Sequence, residues 1–162
     1  MKANEFSKSK IYDLADLIRR VAVWKFEGYS IVFTNGVFDL LHEGHIASLN
    51  EAASHGHKLI VAVNADSSVK KLKGPTRPIY NENARAQILA SLLVTDAVII
   101  FEDDTPLELI KALLPDVLVK GGDYIIEQIA GAKEVIENGG QVVLAKMIDG
   151  VSTSKTIEKI IE

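Results

Sequence analysis

His42 and His45 stand three residues apart in the run Phe33-Thr34-Asn35-Gly36-Val37-Phe38-Asp39-Leu40-Leu41-His42-Glu43-Gly44-His45. On the first turn of a helix that spacing puts both side chains on one face, so two imidazoles can point at one anion. The surrounding residues suit the same task. Ser30 to Thr34 is β-branched and aromatic, as a buried strand should be, and Ile46, Leu49 and Ala53 recur at helical spacing as a core-facing stripe. The turn between them, carrying Thr34, Asn35, Gly36, Val37, Phe38 and Asp39, therefore sits at a strand's carboxyl end. Free backbone N–H groups and the positive end of a helix macrodipole favour anionic ligands there. Gly36 and Gly44 have no side chain to keep a phosphate from the backbone.

Other chemistries fit the run less well. A lone histidine at a helix start is commonly a cap or a partly solvated residue, but a pair on one face is harder to explain that way. Zinc would want His-Glu-x-x-His, and His42-Glu43-Gly44-His45 is one residue short. A dinucleotide fingerprint needs Gly-x-Gly-x-x-Gly after the strand, which Gly36-Val37-Phe38 does not supply.

The elements that would position these residues alternate along the chain. Ile11, Leu14, Leu17, Ile18, Val21 and Trp24 mark a first helix stopped by Gly28. After the histidine helix, Lys58 to Asn64 reads as a second buried strand, followed by a basic loop from Lys70 to Pro78 punctuated by Gly74, Pro75 and Pro78. A helix is expected from Asn81 to Leu93 and a strand from Ala97 to Phe101. The next helix opens on Thr105-Pro106-Leu107-Glu108, read as a capping box with proline at the first helical position, and Pro115 closes it. Asp116 to Lys120 is a fourth strand, Glu127 to Asn138 a helix ended by Gly139-Gly140, Gln141 to Ala145 a fifth strand, and a last helix is capped by Ser152. Strands separated by helices imply right-handed crossovers. The expected fold is thus α/β, a Rossmann-like three-layer sandwich around a five-stranded parallel sheet, with ligands beyond the strands' carboxyl ends.

A chain of 162 residues, 48% hydrophobic, is of the size of one domain with one sizeable core, spanning 1–162. Net charge −4 argues against bulk nucleic-acid or acidic-membrane binding. The absence of cysteine excludes disulfides and thiolate chemistry and fits a cytoplasmic location. No secretory leader or apolar run of membrane-spanning length is present in the sequence.

Gly36-Val37-Phe38-Asp39-Leu40-Leu41-His42-Glu43-Gly44-His45 resembles the Gly-x-Phe-Asp-x-x-His-x-Gly-His signature of the cytidylyltransferase-like nucleotidyltransferase superfamily. Lys70-Lys71-Leu72-Lys73-Gly74-Pro75-Thr76-Arg77-Pro78, Leu118-Val119-Lys120-Gly121-Gly122-Asp123-Tyr124 and Val151-Ser152-Thr153-Ser154 are similar to the heptose 1-phosphate adenylyltransferases. The likeness runs from about Leu14 to the C-terminus. It implies transfer of the adenylyl group of ATP to a heptose 1-phosphate, giving ADP-heptose and pyrophosphate for lipopolysaccharide or other surface-polysaccharide precursors. A glycerol-phosphate-type cytidylyltransferase and a catalytically silent nucleotide-binding module are the competing readings. Many such relatives carry a fused sugar kinase; from its opening methionine this chain is expected to be a stand-alone transferase, working as a homo-oligomer, a dimer.

The resemblance also implies roles. A sugar phosphate is already mostly dianionic at neutral pH, so no strong general base is needed and positioning with charge neutralisation suffices. His42 and His45 would donate to triphosphate oxygens, and Lys73 would join them in catalysis. Thr34 to Asp39, Gly44, Lys120, Gly121, Asp123, Ser152, Thr153 and Ser154 would bind the nucleotide. Ile157 stands where the family's Ser-Ser-Thr-x-Ile-Arg motif places its arginine. Lys73 and Arg77 would bind substrate from a loop that closes over phosphates, neither being buried without ligand; charge alone would make them a solvated basic loop. Arg85 either faces the same phosphates or is an ordinary surface arginine. Asp66 is either a hydroxyl or metal-side partner or a helix cap, and Asp123 can accept from sugar hydroxyls. Glu102-Asp103-Asp104 reads as a solvated loop rather than a magnesium site. The Mg²⁺ that accompanies ATP would be held mainly by phosphates and water, without protein metal ligands.

Overall fold

The computed structural model describes residues 3–122 and 124–146, together with Thr153 and Ile157. Its elements run α1 (Ala3–Lys8), α2 (Leu14–Phe26), β1 (Ile31–Gly36), α3 (Glu43–Ser54), β2 (Lys58–Asn64), α4 (Asp66–Lys73), α5 (Glu82–Ala90), β3 (Ala97–Phe101), α6 (Leu107–Leu113), β4 (Val117–Gly121), a 3₁₀ turn (Ile126–Gln128), α7 (Ala132–Glu137) and β5 (Gln141–Ala145). All four strand pairs are parallel and the order is β3-β2-β1-β4-β5, the expected α/β Rossmann-like sheet. The chain moves outward through β2 and β3 on one side of β1, then returns to lay β4 and β5 on the other. The seam between β1 and β4 is therefore the switch point, where such sheets open a crevice for ligands.

Because side chains alternate along a strand, the sheet feeds two apolar layers. Ile31, Phe33, Ile60 and Leu118 pack with Leu17, Val21 and Trp24 of α2, and with α6 and α7. Val32, Val61 and Val119 pack on the opposite face with Leu49 and Ala52 of α3 and with Ala86, Leu89 and Ala90 of α5. No helix among the described residues is long and apolar enough to cross a membrane.

Several local expectations are corrected. Ile11 does not begin a helix: it bridges Val98 in parallel, and α2 starts after Asp13, whose side chain accepts from Asp16 N. Lys70 to Lys73 belong to the last turn of α4, not to a loop; Ser68 and Val69 are buried while the lysines face outward, and Gly74, at φ +96°, ends the helix. The core-facing residues of α3 are Leu49 and Ala52, with Ala53 half-buried against the same layer, whereas Ile46, in the first turn beyond the strand tip, is 38% exposed. Pro106 occupies the cap of α6 rather than its first turn, with no side-chain capping bond. The expected helix from Glu127 is broken at Gly131, which adopts φ +85° and where an added Cβ would lie 2.6 Å from Ile110 Cδ1. That clash and that dihedral both demand glycine. The last helix expected after Ser152 lies outside the described residues, except that Thr153 and Ile157 are helical.

Candidate active site

β1 delivers Thr34, Asn35 and Gly36 to the switch point, and the backbone then turns through Phe38 at φ +50°, a conformation rare for a residue with a side chain. The Phe38 ring folds back over Gly36, where a Cβ would meet it at 3.0 Å, and its other side approaches the His45 ring, centroids 5.6 Å apart. A side chain at Gly36 would press on that ring, so the glycine leaves room for the ring as well as an open backbone.

α3 begins on His42, which is extended at φ −140°, ψ 174°. The carbonyl of His42 accepts from His45 N at 3.0 Å, and His42 N donates to His45 Nδ1 at 3.3 Å. The two rings lie 3.9 Å apart. A neutral imidazole that accepts at Nδ1 carries its proton at Nε2, so His45 is fixed in the tautomer whose free nitrogen is a donor. Burial and the adjacent His42 push the His45 pKa down to about 4, keeping it neutral at physiological pH. His45 therefore offers a neutral N–H donor at a helix N-terminus, where an arriving anion would draw its ring toward the charged form.

The signature aspartate works differently from its neighbours. Asp39, 2% exposed, accepts from Arg77 Nε at 2.7 Å, from Ile79 N at 2.7 Å and from Tyr80 N at 3.0 Å. Its carboxylate is saturated by the segment that follows α4. Arg85 lies behind that contact with its side chain fully buried: Nε donates to Tyr80 O, Nη1 to Val37 O and Nη2 to Asp66 Oδ1. Asp66 N in turn donates to Glu82 Oε2 at 2.7 Å. One arginine thus ties the signature turn, the end of the 74–81 loop and the start of α4 together.

Across β1, Lys120 at the end of β4 approaches Asn35 Oδ1 at 3.4 Å and the Tyr124 ring centroid at 5.7 Å. Burial lowers its pKa, and no carboxylate pairs with it among the described residues. Thr153 Oγ1 donates to Leu40 O at 3.2 Å, which places Thr153 against the signature turn.

These residues surround a cavity of about 350 Å³. Thr34 to Asp39, His42, Gly44, His45, Lys73, Arg77, Lys120, Gly121 and Thr153, all candidates from the sequence, line it together. Asp66 and Arg85 do not: their charges are spent on each other within the scaffold. Arg77 lines the cavity but is not free, since its side chain is only 14% exposed and paired with Asp39. Asp123, Ser152 and Ser154 lie outside the described residues. Ser48 and Tyr124, which are not sequence candidates, and Leu49, read from sequence as core, also line the cavity. Ser48 follows His45 by three residues on α3, a spacing that would have found it; Tyr124 gave no signal beyond its place in the Lys120 run. Among the described residues no cluster of three histidine, aspartate or glutamate side chains could hold a metal ion.

The profile of the Cytidylyltransferase-like family matches residues 33–159. The Bifunctional protein HldE of Mesorhizobium japonicum is 50% identical over 153 residues, covering 94% of this chain and 31% of that protein. That of Caulobacter vibrioides is 50% identical over 151 residues, covering 93% and 31%. The chain thus spans about a third of the length of the curated relatives it matches. Among solved structures, a lipopolysaccharide core biosynthesis protein from Thermoplasma volcanium superposes with a TM-score of 0.63 at 29% identity, over 75% of this chain and 100% of that one. The pantoate-beta-alanine ligase of Francisella tularensis, at 15% identity and TM-score 0.61 over 91% of this chain and 72% of its own, shares the fold. With its signature turn, its paired histidines and this match over most of its length, the chain belongs to the cytidylyltransferase-like family.

Proposed function

We propose that the protein transfers the adenylyl group of ATP to a heptose 1-phosphate, releasing pyrophosphate. The observation that carries this reading is the pair of histidines, rings 3.9 Å apart, at the N-terminus of α3, lining a cavity that also holds basic groups. An oxygen of the acceptor phosphate would form a bond to the α-phosphorus while the bond from that phosphorus to the bridging β-oxygen breaks. Its electrons leave with pyrophosphate. The acceptor's charge makes a protein base unnecessary, and His42 and His45 would serve by donating to oxygens that gain charge in the transition state. Mg²⁺ bound to the triphosphate would supply further charge neutralisation. The carboxylates of Asp39 and Asp66 are engaged by Arg77 and Arg85, which fits a metal carried by phosphates and water. The choice of heptose rests on the resemblance of the runs at Lys70 to Pro78 and Leu118 to Tyr124, and the similarity to a lipopolysaccharide core biosynthesis protein supports a saccharide acceptor.

Pyrophosphate release from ATP, CTP, GTP and UTP, each with heptose 1-phosphate, glycerol 3-phosphate and no acceptor, tests the reading. Turnover of ATP with heptose 1-phosphate is expected to exceed every other pair. A higher kcat/KM with CTP and glycerol 3-phosphate would make the protein an alcohol-phosphate cytidylyltransferase, and no turnover at all would make it a binding module.

A further inference from the structure

The cavity draws its charged groups from opposite faces of the sheet. His42 and His45 ride on α3, whose Leu49 and Ala52 pack against Val32 and Val119. Asn35 and Lys120 follow Phe33 and Leu118 by two residues, so they share the other face, that of α2, α6 and α7. The two groups meet only beyond the tips of β1 and β4.

Of the three cations lining the cavity, Arg77 is held by Asp39 and Lys73 is exposed. Lys120 alone is desolvated with no carboxylate partner among the described residues; it has only a long contact with Asn35 and the face of Tyr124. A lysine taken out of water without a counter-ion is costly, and an anionic ligand group would relieve that cost.

Which anion it awaits follows from the geometry of displacement, on the reading that this is a nucleotidyl transfer. Attacking and leaving oxygens lie roughly in line through the phosphorus. With the leaving pyrophosphate against the histidines and the N-terminus of α3, the incoming oxygen approaches from the other side, where Lys120 stands. We propose that Lys120 is the anchor for the phosphate of the acceptor, reading a phosphate monoester through a charged hydrogen bond from Nζ, with Asn35 and Tyr124 holding the ammonium in place. Sequence grouping had set Lys120 among the nucleotide contacts; its face of the sheet moves it to the acceptor.

The test uses binding, so that it stands apart from which sugar is turned over. The nucleotide site is filled with Mg²⁺ and α,β-methylene-ATP, whose α–β linkage cannot be cleaved, and inorganic phosphate is titrated by calorimetry into the wild type, Lys120→Met and Lys120→Arg. Phosphate is expected to bind the wild-type binary complex and to weaken on the order of 10- to 100-fold in Lys120→Met, the worth of one charged hydrogen bond. Lys120→Arg should retain most of the affinity, and the affinity for the nucleotide analogue should be similar in all three. Lys120→Met should fold, since it removes a desolvated charge; should it not, Lys120→Gln takes its place. Weakened binding of the analogue with phosphate unaffected would assign Lys120 to the nucleotide and overturn the proposal. Unchanged phosphate binding in Lys120→Met would overturn it equally, as would phosphate that cannot bind once the analogue is present. A failed search for turnover with heptose 1-phosphate would revise the substrate and leave these outcomes as they are.

Discussion

Arg77 Nε donates to Asp39 Oδ2 at 2.7 Å, so the arginine that would close over a ligand is already tied to the signature turn. The pair is nearly dry, with the Asp39 side chain 1% exposed. Its other oxygen takes the backbone N–H groups of Ile79 and Tyr80, which makes Asp39 a fastening for the 74–81 loop.

Removing that fastening should loosen the loop and cost stability. Asp39→Ala leaves a half-buried guanidinium and two N–H groups unmatched, a loss of up to the ~3–5 kcal/mol of a broken buried pair. Urea unfolding should show it, and tryptic cleavage after Lys73, at the head of the loop, should accelerate in the variant at urea concentrations where both proteins are folded. Equal cleavage rates would mean that the loop is held by something other than Asp39.

How far these relationships were legible depends on their range. The strands Lys58 to Asn64 and Ala97 to Phe101 stand where their apolar runs placed them, because a parallel strand buried on both faces is written in consecutive residues, and Gln141 to Ala145 also stands where expected although, at the sheet edge, it is only partly buried. The cavity was legible for the same reason: its wall is largely one contiguous turn. α4 was hidden because the lysines that suggested a loop are the outer face of a short helix whose buried side is only Ser68 and Val69. The roles of Asp39 and Arg85 were not legible at all. Asp39 meets Arg77 across 38 residues, and a wholly buried arginine is so uncommon that its sequence position argues for the surface.

Arg85 should behave as scaffold. Its three nitrogens reach Val37, Tyr80 and Asp66, a span that a lysine's single ammonium cannot reproduce. Arg85→Lys is expected to lose a few kcal/mol, approaching the ~3–5 kcal/mol of a broken buried pair. Asp66→Asn should lose less, since Asp66 is partly exposed. In a double-mutant cycle the two changes should be strongly non-additive; additive losses would show that the pair is not coupled.

His45 gives the site a pH signature. Its folded-state pKa is lowered from 6.5 to about 4, so between those values the unfolded chain binds a proton that the folded chain refuses. Stability should therefore fall as pH drops from 6.5 toward 4, and His45→Gln should flatten that part of the curve. In NMR titration the His45 ring is expected to move with a midpoint near 4 in the free protein, and at higher pH once Mg-ATP is bound. A midpoint near 6.5 in the free protein would contradict the burial and the His42 contact that lower it.

The histidine pair should also divide stability from rate. Each ring is seated in the first turn of α3, and neither carries an ion pair among the described residues, so His42→Ala and His45→Ala should fold and keep the sheet intact. Losing one donor to the charge that develops on the phosphates should lower kcat by roughly 10²-fold or more. The two variants need not be equal. The His45 ring accepts the His42 N–H and touches Phe38, so His45→Ala also frees that N–H and removes a wall from the Phe38 ring. His45→Gln, which keeps an amide donor of similar reach, should recover part of the rate, whereas His45→Phe should restore the packing and none of the rate. If Phe and Gln rescue equally, the ring at this position serves to shape the turn and the donor role belongs to His42 alone.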